Sequence, residues 1–500
     1  MRIAALGAWN QLGSWKTRHP VLFELSISIL LGILIEIALL AFQPPTLLIV
    51  RRVADDTADR MIRLAERTTD RIAASPAFTF LDIDDATWAE WGWPLVTPRG
   101  KIEALLERVA GSGPLAILLD VDLAFPGDKD EEASLHDFLA AYAPTSPPLV
   151  LVRSMIDTPS GKLPLLRPTD YDDAVAGKAN IVFASPLFER DGDGKIRRWR
   201  LLAEACEGNR PMVVPSMHLA GAMIARQAIH GPPPGVPAPA LQRMDRNLAA
   251  FVPANCAARA VEREGELDDW PASIPIAVAP EDVSKRVIYR VGWEKGTVGL
   301  GPLVDSPAGG ETQLVAVRPA RLALAADPGA PLPGIAGRIV IIGGSFSGSG
   351  DWHDTPIGRM PGSLLLVNAV EALTQNGTPR EPSAAERLAI SLMIIVAASL
   401  LTSFLRPTVA AWALAFGIVL LMIVSIGRFK SGVMLDLAVP AVGAVMHDIG
   451  ESLIAMARDI RAQGWRWILK SHGHARPIAS GHDRDDMQHD VPSIGEGGTK

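Results

Sequence analysis

Apolar positions are spread very unevenly along the chain. Residues 21–42, VLFELSISILLGILIEIALLAF, form one nearly unbroken apolar run of 22 positions. A helix of that length spans about 33 Å, enough for a hydrocarbon core of roughly 30 Å. Three further runs come late, at 388–405, 409–427 and 433–447, and the last is short and holds Asp436 and Pro440. Between about 44 and 384 no run is long enough to span. A cleaved signal peptide would have a shorter apolar core and an A-x-A-like site after it, whereas Gln43, Pro44 and Pro45 follow here, so an uncleaved anchor is expected. Four crossings put both termini on one side. Arg2, Lys16, Arg18, Arg406, Arg458, Arg461 and Arg466 favour termini inside, against Arg428 and Lys430, with Arg51 and Arg52 pulling the other way. The expected layout is 1–20 cytoplasmic, 21–43 a first membrane helix, 44–384 an extracytoplasmic domain at the inner (cell) membrane, 385–447 three more membrane helices, and 448–500 a short polar cytoplasmic tail without a fold of its own.

Inside 44–384 the period changes. From Arg51 to about Ser75, the positions Val53, Met61, Leu64, Ala65 and Ile72 recur near the helical period, which predicts a helix continuing out of the first run. Strand and helix patterns then alternate. FTFLDID at 78–84 reads as a strand ending in acids. Thr97-Pro98 offers a hydroxyl cap and a first-turn proline to a helix over 99–109 that ends at Gly111. AILLDVDLAF at 116–125 is a second buried strand, 131–142 a helix and 149–152 a strand. Further strands are predicted at 180–184, 196–206, around 287–291, 312–317 and 337–345, and helices at 216–228 and 363–375. A turn is expected at Asp191-Gly192-Asp193-Gly194 and a proline-rich loop at 231–239. Such alternation predicts a parallel sheet with right-handed crossovers. The expected fold class is an α/β extracytoplasmic domain, a largely parallel sheet with flanking helices, plus about four transmembrane α-helices.

Charge and cysteine content narrow the class further. The 500 residues carry 48 Lys and Arg against 55 Asp and Glu, a net charge of -7, which argues against a nucleic-acid partner. Two cysteines exclude a disulfide-rich scaffold and a four-thiolate zinc module. Cys206 and Cys256 can pair if the domain lies in an oxidising compartment.

Three segments, in order, carry a resemblance. FLDIDDATWAEWGWPLVTPRGKIEALLERVAGSGPLAILLDVDLAF resembles the opening of a CHASE2 domain, an extracytoplasmic sensory module of bacterial receptors. ERDGDGKIRRWRLLAE is similar to its D-x-DG-x-x-R hairpin, through Asp191, Asp193, Gly194 and Arg197. GRIVIIGGSFSGSGDWHDTPIGRMPGSLLLVNAVEAL is similar to the end of such a domain, with Asp354-Thr355-Pro356 and Pro361-Gly362 in the expected order. One helix before the domain and about three after it match as well, so the resemblance spans roughly residues 20–447. It implies a sensor. Such receptors usually continue into a cyclase, kinase or diguanylate cyclase domain, whereas about 50 polar, Gly- and His-rich residues follow here, so a separate effector is expected.

The sharpest candidate site is acidic. Asp82 and Asp84 alternate along one strand and so face the same way, and Asp120 and Asp122 repeat this on the next. Ligands of open parallel sheets sit outside the carboxyl ends of the strands. The loop after a later strand adds Ser345, Ser347, Asp351, His353 and Asp354. These oxygens suit a small ligand or a divalent cation such as Mg²⁺ or Ca²⁺; equally, the carboxylates suit helix caps and solvated strand ends. Trp88, Trp91 and Trp93 either line an aromatic pocket there or pack against the first helix. Arg99 either meets an anion or makes a surface salt bridge.

Catalytic signals are weak. Gly344-Ser345-Phe346-Ser347-Gly348 has Phe where a nucleophile elbow needs Ser, and neither a P-loop nor a dinucleotide fingerprint fits. Lys195 and Leu202 occupy positions where a calcium loop starting at Asp191 needs oxygen ligands. Glu36 lies within the first apolar run, where a carboxylate needs a partner helix or water; Glu24 is nearer its end. His472, His474, His482 and His489 lack the spacing of a structural zinc site. The expectation is a non-enzymatic sensor whose partners are the membrane, an unidentified cytoplasmic or membrane effector and, left open, a second copy as a homodimer. A scaffold subunit of a membrane complex is the alternative, and a metal-dependent hydrolase at the acidic edge the third reading.

Overall fold

Phe78–Ile83 is buried at every position, as a strand covered on both faces must be. The computed structural model describes residues 48–433, apart from 73–74, 159–161, 232–238, 258–264, 268–275, 279–283, 306–309, 381–382, 406 and 431, together with positions 26 and 30. All of these lie in one unit, 1–441. The fourth apolar run beyond Val433, nearly all of the first, Glu24, Glu36, most of the proline-rich loop and the histidine-bearing tail fall outside the described residues.

The chain opens with α1 (Leu48–Arg67), β1 (Arg71–Ile72), β2 (Phe78–Ile83), α2 (Asp85–Glu90), α3 (Arg99–Ala110) and β3 (Ala116–Asp120). Next come α4 (Lys129–Ala141), β4 (Leu149–Val152), β5 (Met155–Ile156), β6 (Leu165–Leu166), α5 (Asp172–Val175) and β7 (Ile181–Ala184). The middle holds β8 (Phe188–Arg190), β9 (Ile196–Trp199), β10 (Leu202–Glu207), β11 (Arg210–Pro215), α6 (Met217–His230) and α7 (Ala240–Leu248). Then follow β12 (Gly265–Leu267), β13 (Ile276–Val278), β14 (Gly299–Asp305), β15 (Glu311–Pro319), α8 (Ala320–Ala325) and β16 (Ile339–Gly344). The hairpin β17 (Trp352–Thr355) and β18 (Gly358–Pro361) leads into α9 (Gly362–Asn376), α10 (Ala384–Phe404) and α11 (Pro407–Lys430).

Eight strands form the main sheet in the order β1-β14-β15-β2-β16-β3-β4-β7. Every neighbouring pair is parallel except β14–β15. Alternation along the strands separates two cores. Phe78, Phe80, Leu118 and Ile341 face α1, α6 and α9, whereas Leu81, Ile83, Leu119 and Ile342 face α3, α4 and α8. Among the described residues, no helix is long and apolar enough to cross a membrane. The helices α10 and α11 coincide with the second and third apolar runs, and they expose Met393, Phe404, Trp412, Phe416, Val419 and Ile423. Cys206 on β10 is disulfide-bonded to Cys256, with Cα atoms 5.9 Å apart.

Some expectations need correction. The first helix stops at Arg67 rather than Ser75, because β1 then joins the edge of the sheet beside β14. The strand expected at 196–206 breaks at Arg200-Leu201: β9 pairs with β8, and β10 pairs with β11 in another sheet. Residues 287–291 form no strand. The Asn368 carboxamide accepts from Arg290 N at 2.8 Å and Val291 N at 2.9 Å and donates to Val291 O at 3.0 Å, taking the place of a neighbouring strand. Thr97 does not cap α3; Glu131 Oε2 accepts from Gly100 N at 3.1 Å instead. Arg99 makes no surface salt bridge among the described residues: it is fully buried and donates to the carbonyls of Thr97 and Phe125.

A buried ionic cluster seats α1 on the domain. Arg197 donates to Asp59 Oδ1 (2.8 Å) and Oδ2 (2.9 Å), to Asp191 Oδ2 (2.8 Å), and to Asp193 Oδ1 and Oδ2 (2.8 Å each). Lys195 Nζ reaches Asp59 Oδ2 at 3.1 Å, and Arg198 and Arg286 both meet Asp55 one turn earlier on α1. Gly194, at φ +84°, makes the turn that brings Asp191 and Asp193 back over Arg197. Burial alone would raise the Asp59 carboxyl, but the bonds from Arg197 and Lys195 outweigh it and hold it below its ordinary value. Arg197→Met is expected to leave the buried Asp59 underpaired and to destabilise the full chain by about 3–5 kcal/mol, read by urea unfolding.

Candidate functional site

Strand β16 lies between β2 and β3, and Gly343 is in register with both Asp82 and Asp120. The three residues therefore form one row across the carboxyl end of the sheet, on the face covered by α6 and α9. Gly343 leaves the centre of the row open, because a Cβ there would strike Ser363 Oγ. Ser363, in the first turn of α9, fills that space and donates to Asp120 Oδ2 at 2.8 Å. Asp82, 5% exposed, accepts from Ser345 N at 3.1 Å and Ser345 Oγ at 2.8 Å. Asp351 lays its carboxylate where a Cβ on Gly362 would stand, and its carbonyl accepts from Gly362 N at 2.9 Å. His353 Nε2 donates to Asp351 Oδ1 at 2.8 Å. Asp120 and Asp351 thus gather at the N-terminus of the fifteen-residue α9, while Asp82, in the same row, is held by Ser345.

Burial dominates the electrostatics. It raises Asp82 to about 7, helped by the nearby Asp84 and Asp85 charges and opposed by the bonds from Ser345. Asp120 also rises to about 7, through burial and then the charge on Asp351, against the bond from Ser363. The row can therefore exchange protons near neutral pH, each carboxyl already held by a serine hydroxyl. Among the described residues no group of three His, Cys, Asp or Glu is placed to hold a metal ion.

A family model described as the CHASE2 domain matches residues 30–404, three quarters of the chain. The chain belongs to the CHASE2 domain family. No curated protein and no solved structure matches. CHASE2 domains are extracellular sensory domains, and the D-x-DG-x-x-R hairpin of this one forms the ionic seat of α1.

The CHASE2 site uses only part of the acidic set that its sequence offers. Asp82, Asp120, Ser345, Asp351 and His353 come to the α9 side. Asp84 does not, because the strand ends at Ile83 and Asp84 caps α2, accepting from Thr87 N at 2.8 Å and Thr87 Oγ1 at 2.6 Å. Asp122 holds its own loop, accepting from Ala124 N at 2.8 Å and Ser154 Oγ at 2.6 Å. Asp354 is exposed on β17 opposite Arg359, and Ser347 N donates to Asp85 Oδ1 at 2.7 Å. The tryptophans differ in their surroundings, and Trp88 packs in the core shared with α3. Trp88 stacks on Phe346 with centroids 4.0 Å apart and planes 7° apart, in the other core, and Trp91 leans on Trp88 at 6.1 Å. Trp93, at φ +55°, is 63% exposed. Ser363, Gly343 and Gly362 were invisible as site residues, although Pro361-Gly362 directly before a helix was a usable signal.

Proton linkage gives the row a signature. The folded pKa of Asp82 lies above its ordinary 3.8, so its contribution to stability is complete below about pH 4 and is lost as pH rises through about 7. Asp82→Asn can keep both bonds to Ser345 and never ionises. It should match the parent near pH 4 and exceed it by about 2–4 kcal/mol above pH 8. Buried His218, pushed down to about 3 by burial, works the other way, losing its contribution as pH falls below 6.5. Melting parent and variant side by side across pH cancels that histidine.

Proposed function

We propose that this CHASE2 protein is a membrane-anchored extracytoplasmic sensor that passes its signal to a separate effector protein. The observation that carries the reading is how α1 and α11, which adjoin the apolar runs, join the domain. Both are keyed into its buried core, not hung on it by loose linkers. On α1, Asp55 and Asp59 enter the ionic cluster around Arg197, Arg198 and Arg286. On α11, Phe429 is 2% exposed within the first core, and Lys430 Nζ donates to Thr68 O at 2.8 Å. Lys430 O in turn accepts from Arg290 Nη2 at 3.2 Å and Asn376 Nδ2 at 3.0 Å. A change in the core is thus felt by both helices.

The helix α9 links site to output. Its first turn meets the Asp82–Asp120 row, and its last residue, Asn376, holds the end of α11. In the proposed mechanism, protonation of the row or a ligand bound there shifts α9, and through it α11 relative to α1. Such a shift needs different affinities for the two states. The apolar faces of α10 and α11 suit a bilayer, and the Cys206–Cys256 bond suits an oxidising compartment outside the cytoplasm.

Hydrogen exchange on the full chain in nanodiscs tests the relay. Protection factors of amides in 55–66 and 420–430, corrected for the intrinsic pH dependence of exchange, should change several-fold between acid and alkaline buffer, and Asp82→Asn with Asp120→Asn should remove the change. Protection that ignores both pH and substitution would refute the relay and favour the scaffold reading. For sidedness, an impermeant amine reagent should label exposed Lys101 in intact spheroplasts. Labelling only after lysis would sink the extracytoplasmic assignment.

A further inference from the structure

The ends of α1, α9 and α11 meet around a cavity of about 280 Å³ whose lining includes Thr68, Asp70, Arg71, Arg290, Asn376 and Lys430. A neighbouring cavity of about 370 Å³ shares Asp70 and Arg290. Their sizes fall on either side of the lower limit of small-ligand sites, about 300 Å³. Helix carboxyl ends favour cations, but here the protein already covers them: Lys430 Nζ is on Thr68 O, and Arg290 Nη2 is on Lys430 O. What remains facing the cavity is mainly positive. Lys430 bonds to a carbonyl and, among the described residues, forms no ion pair with a carboxylate. Arg290 is held on both terminal nitrogens, Nη1 at 2.9 Å from the buried Glu371 and Nη2 at 2.7 Å from Asn376 Oδ1. Arg71 pairs with Asp305 and Glu311 at the surface, outside the lining, where such pairs hold a side chain only weakly. Asp70 is the one carboxylate in the lining of the smaller cavity.

We infer that this cavity binds a phosphate-bearing anion between Arg71, Arg290 and Lys430. Two guanidinium groups and one ammonium, brought from three different elements, place positive charge around tetrahedral oxygens, which would compete with Asp305 and Glu311 for Arg71. An anion held there would tie the end of α11 to β1 and to the buried 287–291 segment, and so bias the relay proposed above. The phosphate chemistry stands without the membrane. Only its source in a lipid headgroup rests on the membrane-anchored reading.

The test uses the full chain in neutral detergent, melted with sodium phosphate against sodium chloride of equal ionic strength. It is then melted in phosphatidylcholine nanodiscs with and without phosphatidylglycerol. The midpoint should rise by several degrees with phosphate, with phosphatidylglycerol, or with both, and not with chloride or phosphatidylcholine alone. A response to phosphate assigns a soluble anion, and one confined to phosphatidylglycerol assigns the headgroup. Lys430→Gln should weaken the response about tenfold in apparent affinity. Asp70→Asn should strengthen it, a gain that misfolding cannot produce. No response to either anion, or unchanged affinity in both variants, overturns the inference. Failure of the membrane reading alone would show as phosphate binding with no preference between the two lipids.

Discussion

A guanidinium buried among carboxylates cannot be left half paired, and the rest of this domain is arranged around that constraint. Arg197 is 3% exposed and meets Asp59, Asp191 and Asp193 at once. Replacing such a cluster by apolar side chains can be neutral or stabilising, so its value here is geometric. Hydrophobic contact between α1 and the sheet would tolerate sliding, whereas two bonds from Arg197 to one carboxylate fix the helix in register and rotation. The cluster turns a packed helix into an indexed one.

The same logic recurs along α9. Polar side chains mark its start at Ser363, which bonds to Asp120, and its middle and end at Asn368, Glu371 and Asn376, which all meet Arg290. Between them, Leu364, Leu365, Val367 and Val370 bury against the sheet. The apolar contacts bind the helix and the polar ones specify where it sits. Glu371, fully buried and raised by that burial, bonds to Arg290, so the far end of the helix carries a buried charge pair of its own.

The central strands were legible because both of their faces are buried, which leaves continuous apolar runs at 78–83, 116–120, 149–152 and 339–344. The hairpin at Asp191–Gly194 was legible from its turn residues. Errors arose where a distant partner decides the local structure. Alternation put Asp84 with Asp82, but the ladder beside β16 ends at Ile83 and the next backbone turns into α2. The run at 287–291 reads as a strand, yet its partner is one carboxamide on α9. Asp82 and Asp120 were correctly singled out, while their union through Gly343 and Ser363 depends on a register that sequence spacing does not carry.

The position of β16 has a consequence for how the chain is made. It lies between β2 and β3, and Ser345, just past its end, bonds to Asp82 across a separation of 263 residues. Until residues 339–344 have left the ribosome, β2 and β3 flank a vacant slot and can pair only wrongly, with each other or with a foreign strand. From the end of β3 at Asp120 to the end of β16 at Gly344, at about 5–20 residues per second, that interval lasts roughly 11–45 s. Biogenesis therefore leaves the facing edges of β2 and β3 unpaired for much of synthesis, until the last strand of the sheet inserts between them.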